Sequence, residues 1–303
     1  MGGTHSVADT PFDDSTPLAT ELADLSKRRA ALAQAQAPRP SSPRVFTVAN
    51  QKGGVGKTTT AVNIASALAR FGSTVLVIDL DPQGNASTAL GINHHADIAS
   101  IYDVVVGVTP LADVIQASPG NPNLLCAPSN LDLAGAEIEL VSMAAREYRL
   151  QRAITTFLSS PAGEAVDYVF IDCPPSLGLL TINSFTAARE VLIPIQCEYY
   201  ALEGVSQLVN TIDLVKGHLN PNLNLSTIVL TMFDTRTNLA HQVVSDVRSH
   251  FPHQTLGAVI PRSVRVSEAP SYGQTVIEYD QGSPGAVAYQ EAALEIAHRG
   301  APA

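Results

Sequence analysis

The chain has 303 residues, of which 45% are apolar and 15% are charged, and its net charge is −10. This composition is typical of a globular protein with one large domain or two small ones, and it excludes a strongly basic coat for nucleic acid. Any contact with nucleic acid must therefore come from a local patch. Three widely spaced cysteines argue against a disulfide framework or a zinc site and favour a reducing cytoplasm. The sequence has no apolar run long enough to span a bilayer, and we expect no export signal.

Residues 1–43 differ in composition from the rest of the chain. They combine an acidic stretch, a helix-permissive run rich in alanine and leucine, and the Pro/Ser segment PRPSSPR, which is typical of a linker. We predict a disordered tail and linker over 1–43, followed by a single folded domain over 44–303. The alternative is a short amphipathic helix that docks on a partner through Leu18, Leu22 and Leu25.

From Arg44 onward, apolar runs rich in β-branched residues alternate with helical patterns. The predicted strands are RVFTVAN, STVLVIDLD, NLLCAP, DYVFIDCPP, EVLIPIQ, STIVLTMF and LGAVIP. The predicted helices include TTTAVNIASALARF, which stops at Gly72, then AGAEIELVSMAA, SLGLLTINSFTAA, YYALEGVSQLVNTIDLVKGHL and HQVVSDVRSHF. Strands that are apolar on both faces predict an α/β fold: a doubly wound, mainly parallel sheet with helices on both faces. Ligands then bind at the carboxyl ends of the strands.

The segment 48-VANQKGGVGKTTT-60 joins the first predicted strand to the first predicted helix of this domain. Gly56, Lys57 and Thr58 match the end of the phosphate-loop pattern G-x-x-x-x-G-K-[ST], but Gln51 occupies the position of the first glycine and Lys52 follows it. Backbone N–H groups of such a loop and the positive end of the next helix bind phosphate. Lys57 can pair with the β- and γ-phosphates, and the Thr58 hydroxyl can ligate Mg²⁺. The predicted nucleotide contacts are Lys52, Gly53, Gly54, Val55, Gly56, Lys57, Thr58 and Thr59.

Acidic residues stand where two predicted strands end. Asp79 and Asp81 end STVLVIDLD, and Asp172 ends the strand in DYVFIDC. A carboxylate at the tip of a strand beside a phosphate loop can hold Mg²⁺. A single aspartate at a strand end is often only a turn or helix cap, but two such sites beside a phosphate loop favour a metal site.

Taken together, KGGVGKTT, DLDPQGN and IDCPPS resemble the deviant-Walker-A ATPases of the ParA, Soj and MinD group. CEYYALEG, LTMFDTRTNL and IPRSVRVSEAPSYG resemble its chromosomal ParA/Soj branch, and the resemblance covers about residues 44–298. It implies a P-loop NTPase fold of the deviant Walker A type, ATP and Mg²⁺ as cofactors, and ATP hydrolysis that is slow unless stimulated.

The resemblance also implies roles for single residues. Lys52 matches a signature lysine that reaches phosphates bound by the other subunit of a nucleotide sandwich dimer, a cation supplied in trans. Gly53 and Gly54 would allow the two backbones to approach each other. The implied catalytic residues are Lys52, Lys57 and Asp81, of which Asp81 positions the attacking water. The implied metal-side residues are Thr58, Asp79 and Asp172, a switch region runs from Glu198 to Glu203, and the backbone from Pro261 to Val264 is implied near the adenine.

Arg236 and Arg265 match DNA-contact arginines of the ParA branch, and Arg262 lies nearby; the alternative for each is an ordinary solvated charge. We expect Arg236 at the start of a helix and Arg265 in a loop after a strand. The implied partners are a second copy of the chain in an ATP-dependent homodimer, non-specific double-stranded DNA, a ParB-type centromere-binding protein and polar scaffold proteins. The implied function is chromosome or plasmid partition by a cytoplasmic, nucleoid-associated ATPase.

Two other functions remain open at this point. One is a positioning ATPase that moves a protein cargo and uses the nucleoid as a track. The other is a MinD-like, membrane-associated regulator of the division site. The final stretch AVAYQEAALEIAHRGAPA disfavours the latter, because it has one Arg, no Lys and two Glu and is typical of a packed helix. We therefore expect no membrane partner.

Overall fold

The computed structural model describes residues 17–95, 97–199 and 201–300, without the side chains of Pro17, Leu18, Ala201 and Glu203. The Leu18 side chain of the predicted apolar face lies outside the described residues. So do Tyr200 and the Glu203 side chain of the predicted switch region. The chain divides after Ala35 into two compact units.

The first unit contains the helix α1 (Pro17–Gln34). The prediction of disorder is wrong for these residues, because alanine, leucine, lysine, arginine and glutamine favour a helix over 18 consecutive positions. Asp24 and Arg28, one helical turn apart, form an ion pair of 3.8 Å, and such exposed pairs add only a few tenths of a kcal/mol. Leu22, on the face that the alternative prediction singled out, is exposed.

The second unit carries the remaining strands and helices. Its strands are β1 (Arg44–Val48), β2 (Val75–Asp79), β3 (Gln116–Ser118), β4 (Asn121–Ala127), β5 (Tyr168–Asp172), β6 (Glu190–Gln196), β7 (Asn224–Phe233) and β8 (Thr255–Pro261). Its helices are α2 (Lys57–Arg70), α3 (Asn85–Ala89), α4 (Ile101–Val106), α5 (Leu111–Val114), α6 (Leu133–Val141), α7 (Arg149–Leu158), α8 (Leu179–Ala187), α9 (Ala201–His218), α10 (Asn238–His250), α11 (Val264–Glu268), α12 (Val276–Tyr279) and α13 (Pro284–Arg299). Short 3₁₀ turns run over Arg146–Tyr148 and Ala269–Tyr272.

The strands form one sheet in the order β3-β4-β2-β5-β1-β6-β7-β8. All neighbours pair in parallel except β3 and β4, which pair antiparallel at one edge. The prediction of a doubly wound, mainly parallel sheet is confirmed. The edge strand β3 was not predicted, because its three residues, QAS, carry no apolar alternation.

Two apolar cores lie on opposite faces of this sheet, because successive side chains of a strand point to opposite sides. Val45 and Val169 belong to one core, and Phe46 and Phe170 belong to the other, where their rings stack with centroids 5.0 Å apart. The final helix α13 buries ten of its residues, and seven of these belong to the second core. The prediction that the end of the chain forms a packed helix is therefore confirmed.

An ion pair is buried at the amino ends of β1 and β6. The Arg44 guanidinium donates from Nε and Nη2 to the two carboxylate oxygens of Glu190 at 2.7 and 2.8 Å, and from Nη1 to the carbonyl of Ile296 at 2.6 Å. Both side chains are at most 2% exposed. Just before this strand, Arg39 donates to the Gly72 carbonyl at 2.6 Å, so the end of the predicted linker is attached to the domain.

The sheet register decides which residues meet at the opposite, carboxyl edge. Val48 of β1 is the partner of Asp172 of β5, and Asp172 is in turn the partner of Asp79 of β2. The chain that leaves Val48 therefore starts beside two carboxylates. Within the described ranges, no helix has the length and apolar character needed to cross a membrane.

Candidate nucleotide-binding site

The loop between β1 and α2 has the backbone shape of a phosphate cradle. Gly54 and Gly56 have φ values of +74° and +89°, which other residues adopt only with strain, and Gly56 is the N-cap residue of α2. Gly53 and Gly54 are exposed, and a Cβ atom added at either position would meet no atom within 4 Å. Since the chain itself leaves this space open, the structure supplies no intramolecular reason for a glycine at position 53.

Two polar side chains that the sequence analysis missed hold this loop in place. Asn50 donates to the Pro194 carbonyl at 2.8 Å and accepts from the Lys52 N–H at 3.0 Å. Thr231 donates from its hydroxyl to the Val55 carbonyl at 2.9 Å. A polar residue at the end of an apolar strand was a usable signal for Asn50, but the contact of Thr231 spans 176 positions and leaves no local pattern.

The two lysines of the loop have different surroundings. Lys57 is 8% exposed and donates from Nζ to the Lys52 carbonyl at 3.3 Å, whereas the Lys52 side chain is exposed. Burial lowers the pKa of Lys57, and the nearby charges of Asp172 and Asp81 oppose this shift. Lys57 is therefore the ammonium group inside the site, and Lys52 is the one on its surface.

Asp172 is a buried carboxylate whose two oxygens have no hydrogen-bond partner among the described residues. Burial and then the neighbouring Asp79 raise its pKa well above the ordinary value. The Thr58 hydroxyl and the Lys57 ammonium lie close enough to oppose that rise, although Thr58 does not reach hydrogen-bond geometry. A buried carboxylate without a partner is costly, so this group needs a cation or a proton that the described chain does not supply.

Asp79 is also buried, but its oxygens are occupied. Its Oδ2 accepts from the backbone N–H and the hydroxyl of Ser87, both at 2.7 Å, and its Oδ1 accepts from the Asp81 N–H at 3.3 Å. Burial raises the pKa of Asp79 to about 6, although these hydrogen bonds oppose the shift. Asp79 therefore connects the start of α3 to the turn that carries Asp81. Ser87 is a further residue that the sequence analysis missed.

Asp81 is partly buried and lies close enough to Lys57, Asp79 and Asp172 to affect the pKa of each. Its Oδ1 accepts from the Gln83 N–H at 3.0 Å. The structure thus brings together one set of the predicted residues at the carboxyl edge of the sheet, namely Lys57, Thr58, Asp79, Asp81 and Asp172. Thr59 lies one residue further along α2, where its carbonyl accepts from the Asn63 side chain.

Pro261 and Val264 lie at the far end of the sheet. Pro261 ends β8 and pairs with Phe233 of β7, and Val264 begins α11 with 71% of its surface exposed. Their position near an adenine stays a prediction.

The predicted DNA arginines are exposed, and each has a carboxylate partner. Arg236 pairs with Asp234 at 2.7 Å, and Arg262 pairs with Glu198 at 2.9 Å. Arg265 pairs with Glu268 at 3.4 Å and with Asp280 at 3.5 Å. A phosphate that approaches any of these arginines therefore meets a carboxylate already beside the guanidinium.

Two predicted placements of these arginines are wrong. We expected Arg236 at the start of a helix, but α10 begins at Asn238 and its N-cap is Thr237, whose hydroxyl accepts from the Ala240 N–H. Arg236 lies before the cap because Asp234 holds it in a turn. We expected Arg265 in a loop, but it lies in α11. This helix has only five residues, which are too few to show a helical period in the sequence.

The chain is similar to several known proteins. A family model described as an AAA domain matches residues 43–225. The sporulation initiation inhibitor protein Soj of Bacillus subtilis is 50% identical over 258 residues, which cover 85% of this chain and 99% of that protein. The chromosome partitioning protein ParA of Caulobacter vibrioides is 50% identical over 256 residues, which cover 84% and 94%.

A solved structure is similar as well. The cobyrinic acid a,c-diamide synthase of Mycobacterium smegmatis, crystallised with an ATP analogue and magnesium, is 39% identical, with a TM-score of 0.71 and coverage of 83% of this chain and 93% of that one. The two partition relatives are more similar in sequence and extend over nearly all of their own length. The chain belongs to the Soj/ParA family of chromosome-partitioning proteins.

Proposed function

We propose that this protein is a partition ATPase whose ATP-bound dimer holds double-stranded DNA without sequence preference and releases it after hydrolysis. A ParB-type partner bound at a centromere stimulates that hydrolysis. The observation that carries the proposal is the buried Asp172 carboxylate without a partner, beside Lys57 and the glycine-rich loop, in a chain 50% identical to Soj and ParA.

The residues present fit ATP and Mg²⁺. The backbone of the loop binds the phosphates, and Lys57 pairs with them from within the site. Thr58 and Asp172 are the side chains that would hold Mg²⁺, directly or through water, because this ion is bound by one or two protein oxygens together with substrate phosphates. When bound, Mg²⁺ supplies positive charge to the phosphates and to the otherwise unpartnered Asp172 carboxylate.

Asp79 has a different role in this proposal from the metal-side role implied by the resemblance. Its oxygens already accept three hydrogen bonds from Ser87 and Asp81. We assign it to holding the turn that carries Asp81. Asp81 then positions the attacking water, and its partly exposed carboxylate is available for this.

Lys52 completes the site of a second subunit. Its side chain is exposed while its N–H is held by Asn50, so the backbone at this position is fixed and the ammonium group is free to extend outward. The open space around Gly53 supports a close approach of two loops. A cation supplied in this way stabilises the charge that develops on the transferred phosphoryl group.

DNA binding rests on Arg236, Arg262 and Arg265. Contacts from two subunits with about two phosphates each would give a salt slope near −3.6 and a loss of roughly a hundredfold between 50 and 200 mM salt. Since these contacts are to phosphate, binding should differ little between DNA sequences.

The test is binding to a random duplex without nucleotide, with ADP, with ATP and with a slowly hydrolysed ATP analogue. We expect salt-sensitive binding with ATP or the analogue that is at least about fivefold tighter than with ADP. Arg236→Ala and Arg265→Ala should each reduce the salt slope by about 0.9 per lost phosphate contact. Cosedimentation with anionic vesicles, without DNA binding in any nucleotide state, would instead support a membrane-associated regulator and overturn the proposal.

A further inference from the structure

The carboxyl end of β7 lies between the phosphate loop and two of the arginines assigned to DNA. Thr231 is 2% exposed, and its hydroxyl donates to the carbonyl of Val55, which is itself 1% exposed. The side chains of Thr231 and Met232 also line the space beside Gly56. Three residues after Thr231, Asp234 holds Arg236. A segment of six residues therefore connects the loop to Arg236.

This segment also closes a ring of contacts. The Thr231 carbonyl accepts from the Cys197 N–H at 3.0 Å, and the next residue, Glu198, pairs with Arg262 at 2.9 Å. The Arg262 N–H donates to the Phe233 carbonyl at 3.0 Å, which returns to the same segment of β7. A displacement at the Val55 carbonyl thus has a direct physical route to Arg262 as well as to Arg236.

The backbone inside this ring is strained. Met232 has a φ of +54°, in the left-handed region that a non-glycine residue adopts at a cost of about 1 kcal/mol or more. Such a conformation persists only where its surroundings impose it. Here those surroundings are the Thr231 contact on one side and the Phe233–Arg262 contact on the other.

We propose that Thr231 is a positioning residue that couples the state of the phosphate loop to the DNA arginines through the carboxyl end of β7. Phosphate binding orients the backbone of the loop, and the Val55 carbonyl transmits that orientation to the Thr231 hydroxyl. The ring formed by 231–236, Glu198 and Arg262 then changes its conformation. This inference rests on the proposed function for its DNA readout. It also predicts that nucleotide changes the hydrogen exchange of the carboxyl end of β7 in the absence of DNA.

The test compares Thr231→Val, which removes the hydroxyl and keeps the branched shape, with Thr231→Ser, which keeps the hydroxyl. The DNA affinity of both variants is measured at ATP and ADP concentrations that saturate each variant, so that a change in nucleotide affinity does not affect the result. We expect the ratio of DNA affinity between the two states to fall at least about fivefold in Thr231→Val and to stay within about twofold of wild type in Thr231→Ser.

A second readout uses amide hydrogen exchange of a peptide that covers 231–236. ATP should protect this peptide more than ADP does in wild type and Thr231→Ser, and this difference should disappear in Thr231→Val. Since Thr231→Val leaves a buried carbonyl unpaired, Glu198→Gln provides a variant at an exposed position of the ring. It should also lower the affinity ratio, because it releases Arg262 in both nucleotide states.

The outcomes separate the two claims. The proposed partition function fails if wild type binds no DNA in any nucleotide state. The coupling still stands in that case if nucleotide changes the hydrogen exchange of the 231–236 peptide in wild type but not in Thr231→Val. If Thr231→Val folds and keeps both the exchange response and the DNA ratio of wild type, the coupling is overturned. An unfolded Thr231→Val together with an unchanged ratio in Glu198→Gln would overturn it too.

Discussion

Asp234 holds Arg236 through three hydrogen bonds within three residues. Its Oδ1 accepts from the backbone N–H and Nε of Arg236 at 3.0 and 2.9 Å, and its Oδ2 accepts from Nη2 at 2.7 Å. The Arg236 guanidinium lowers the pKa of Asp234 far below its ordinary range, yet the Arg236 side chain is 84% exposed. A DNA phosphate would therefore compete with a carboxylate that is already in place.

Asp234→Asn should strengthen DNA binding. Asparagine keeps the oxygen that accepts from the Arg236 N–H, so the turn should persist, while the competing charge is lost. We expect roughly 3- to 10-fold tighter binding of the ATP form to any duplex, measured by salt titration. The double variant with Arg236→Ala is the control: a gain of the same size without Arg236 would show that the effect is general charge repulsion.

Lys57→Ala and Lys52→Ala should have different effects. Lys57 is buried in the site, so its loss should weaken ATP binding by at least about 10-fold, the value of one charge-assisted hydrogen bond. Lys52 is exposed, so its loss should leave ATP affinity within about threefold while ATP-dependent dimerisation and stimulated hydrolysis are lost. Calorimetry and light scattering measure the two quantities, and equal losses of nucleotide affinity would refute the assignment of the lysines.

Asp81→Ala should trap the ATP-bound dimer. Removal of the carboxylate that positions water should slow stimulated hydrolysis by about 100-fold or more, while the ATP form stays dimeric on DNA. Gln83→Ala is the matched control, because Gln83 donates to Asp81 from its backbone N–H, which alanine keeps. An Asp81→Ala protein that stays monomeric with ATP would contradict this role.

The nucleotide-free protein should be stabilised by Asp172→Asn in a pH-dependent way. Because burial raises the pKa of Asp172 above its ordinary value of 3.8, the folded protein binds its proton more tightly than the unfolded chain does. Stability is therefore lost as pH rises from about 4 through the raised pKa, and the variant escapes this loss. At pH 8 its Tm should exceed that of wild type by about 2–6 °C, and near pH 4 the difference should vanish.

Addition of Mg²⁺ and ATP should reverse this order, because only wild type has the carboxylate that gains a cation. Thermal unfolding with and without the ligands at pH 8 measures both effects. A nucleotide-free Asp172→Asn protein less stable than wild type at pH 8 would show that the Asp172 carboxylate has a favourable partner after all.

Arg44→Ala should destabilise the fold without a direct effect on the site. It leaves the buried Glu190 carboxylate unpaired, which costs about 3–5 kcal/mol of unfolding free energy. Arg70→Ala, at an exposed position on α2, should change stability by no more than about 0.5 kcal/mol. Urea unfolding measures both, and a loss below about 1 kcal/mol for Arg44→Ala would mean that Glu190 finds another partner.

The sequence alone determined every strand except β3, the loop before α2 and the kind of chemistry at their ends. Parallel strands covered on both faces must be apolar throughout, so β1, β2 and β5 were visible as runs, and the glycines of the loop were visible because only glycine adopts its backbone angles without strain. Lys57, Thr58, Asp79, Asp81 and Asp172 could be predicted because each stands at a strand end or a helix start.

Only the tertiary structure decided which of these groups have partners. The pairing of Val48, Asp172 and Asp79 depends on the order of the strands, and the contact of Thr231 with Val55 depends on β7 reaching the loop from far along the chain. Asp79 and Asp172 look alike in sequence, yet Ser87 satisfies one and no described residue satisfies the other. Hydrogen bonding and burial depend on neighbours in space, and a local pattern specifies only the neighbours along the chain.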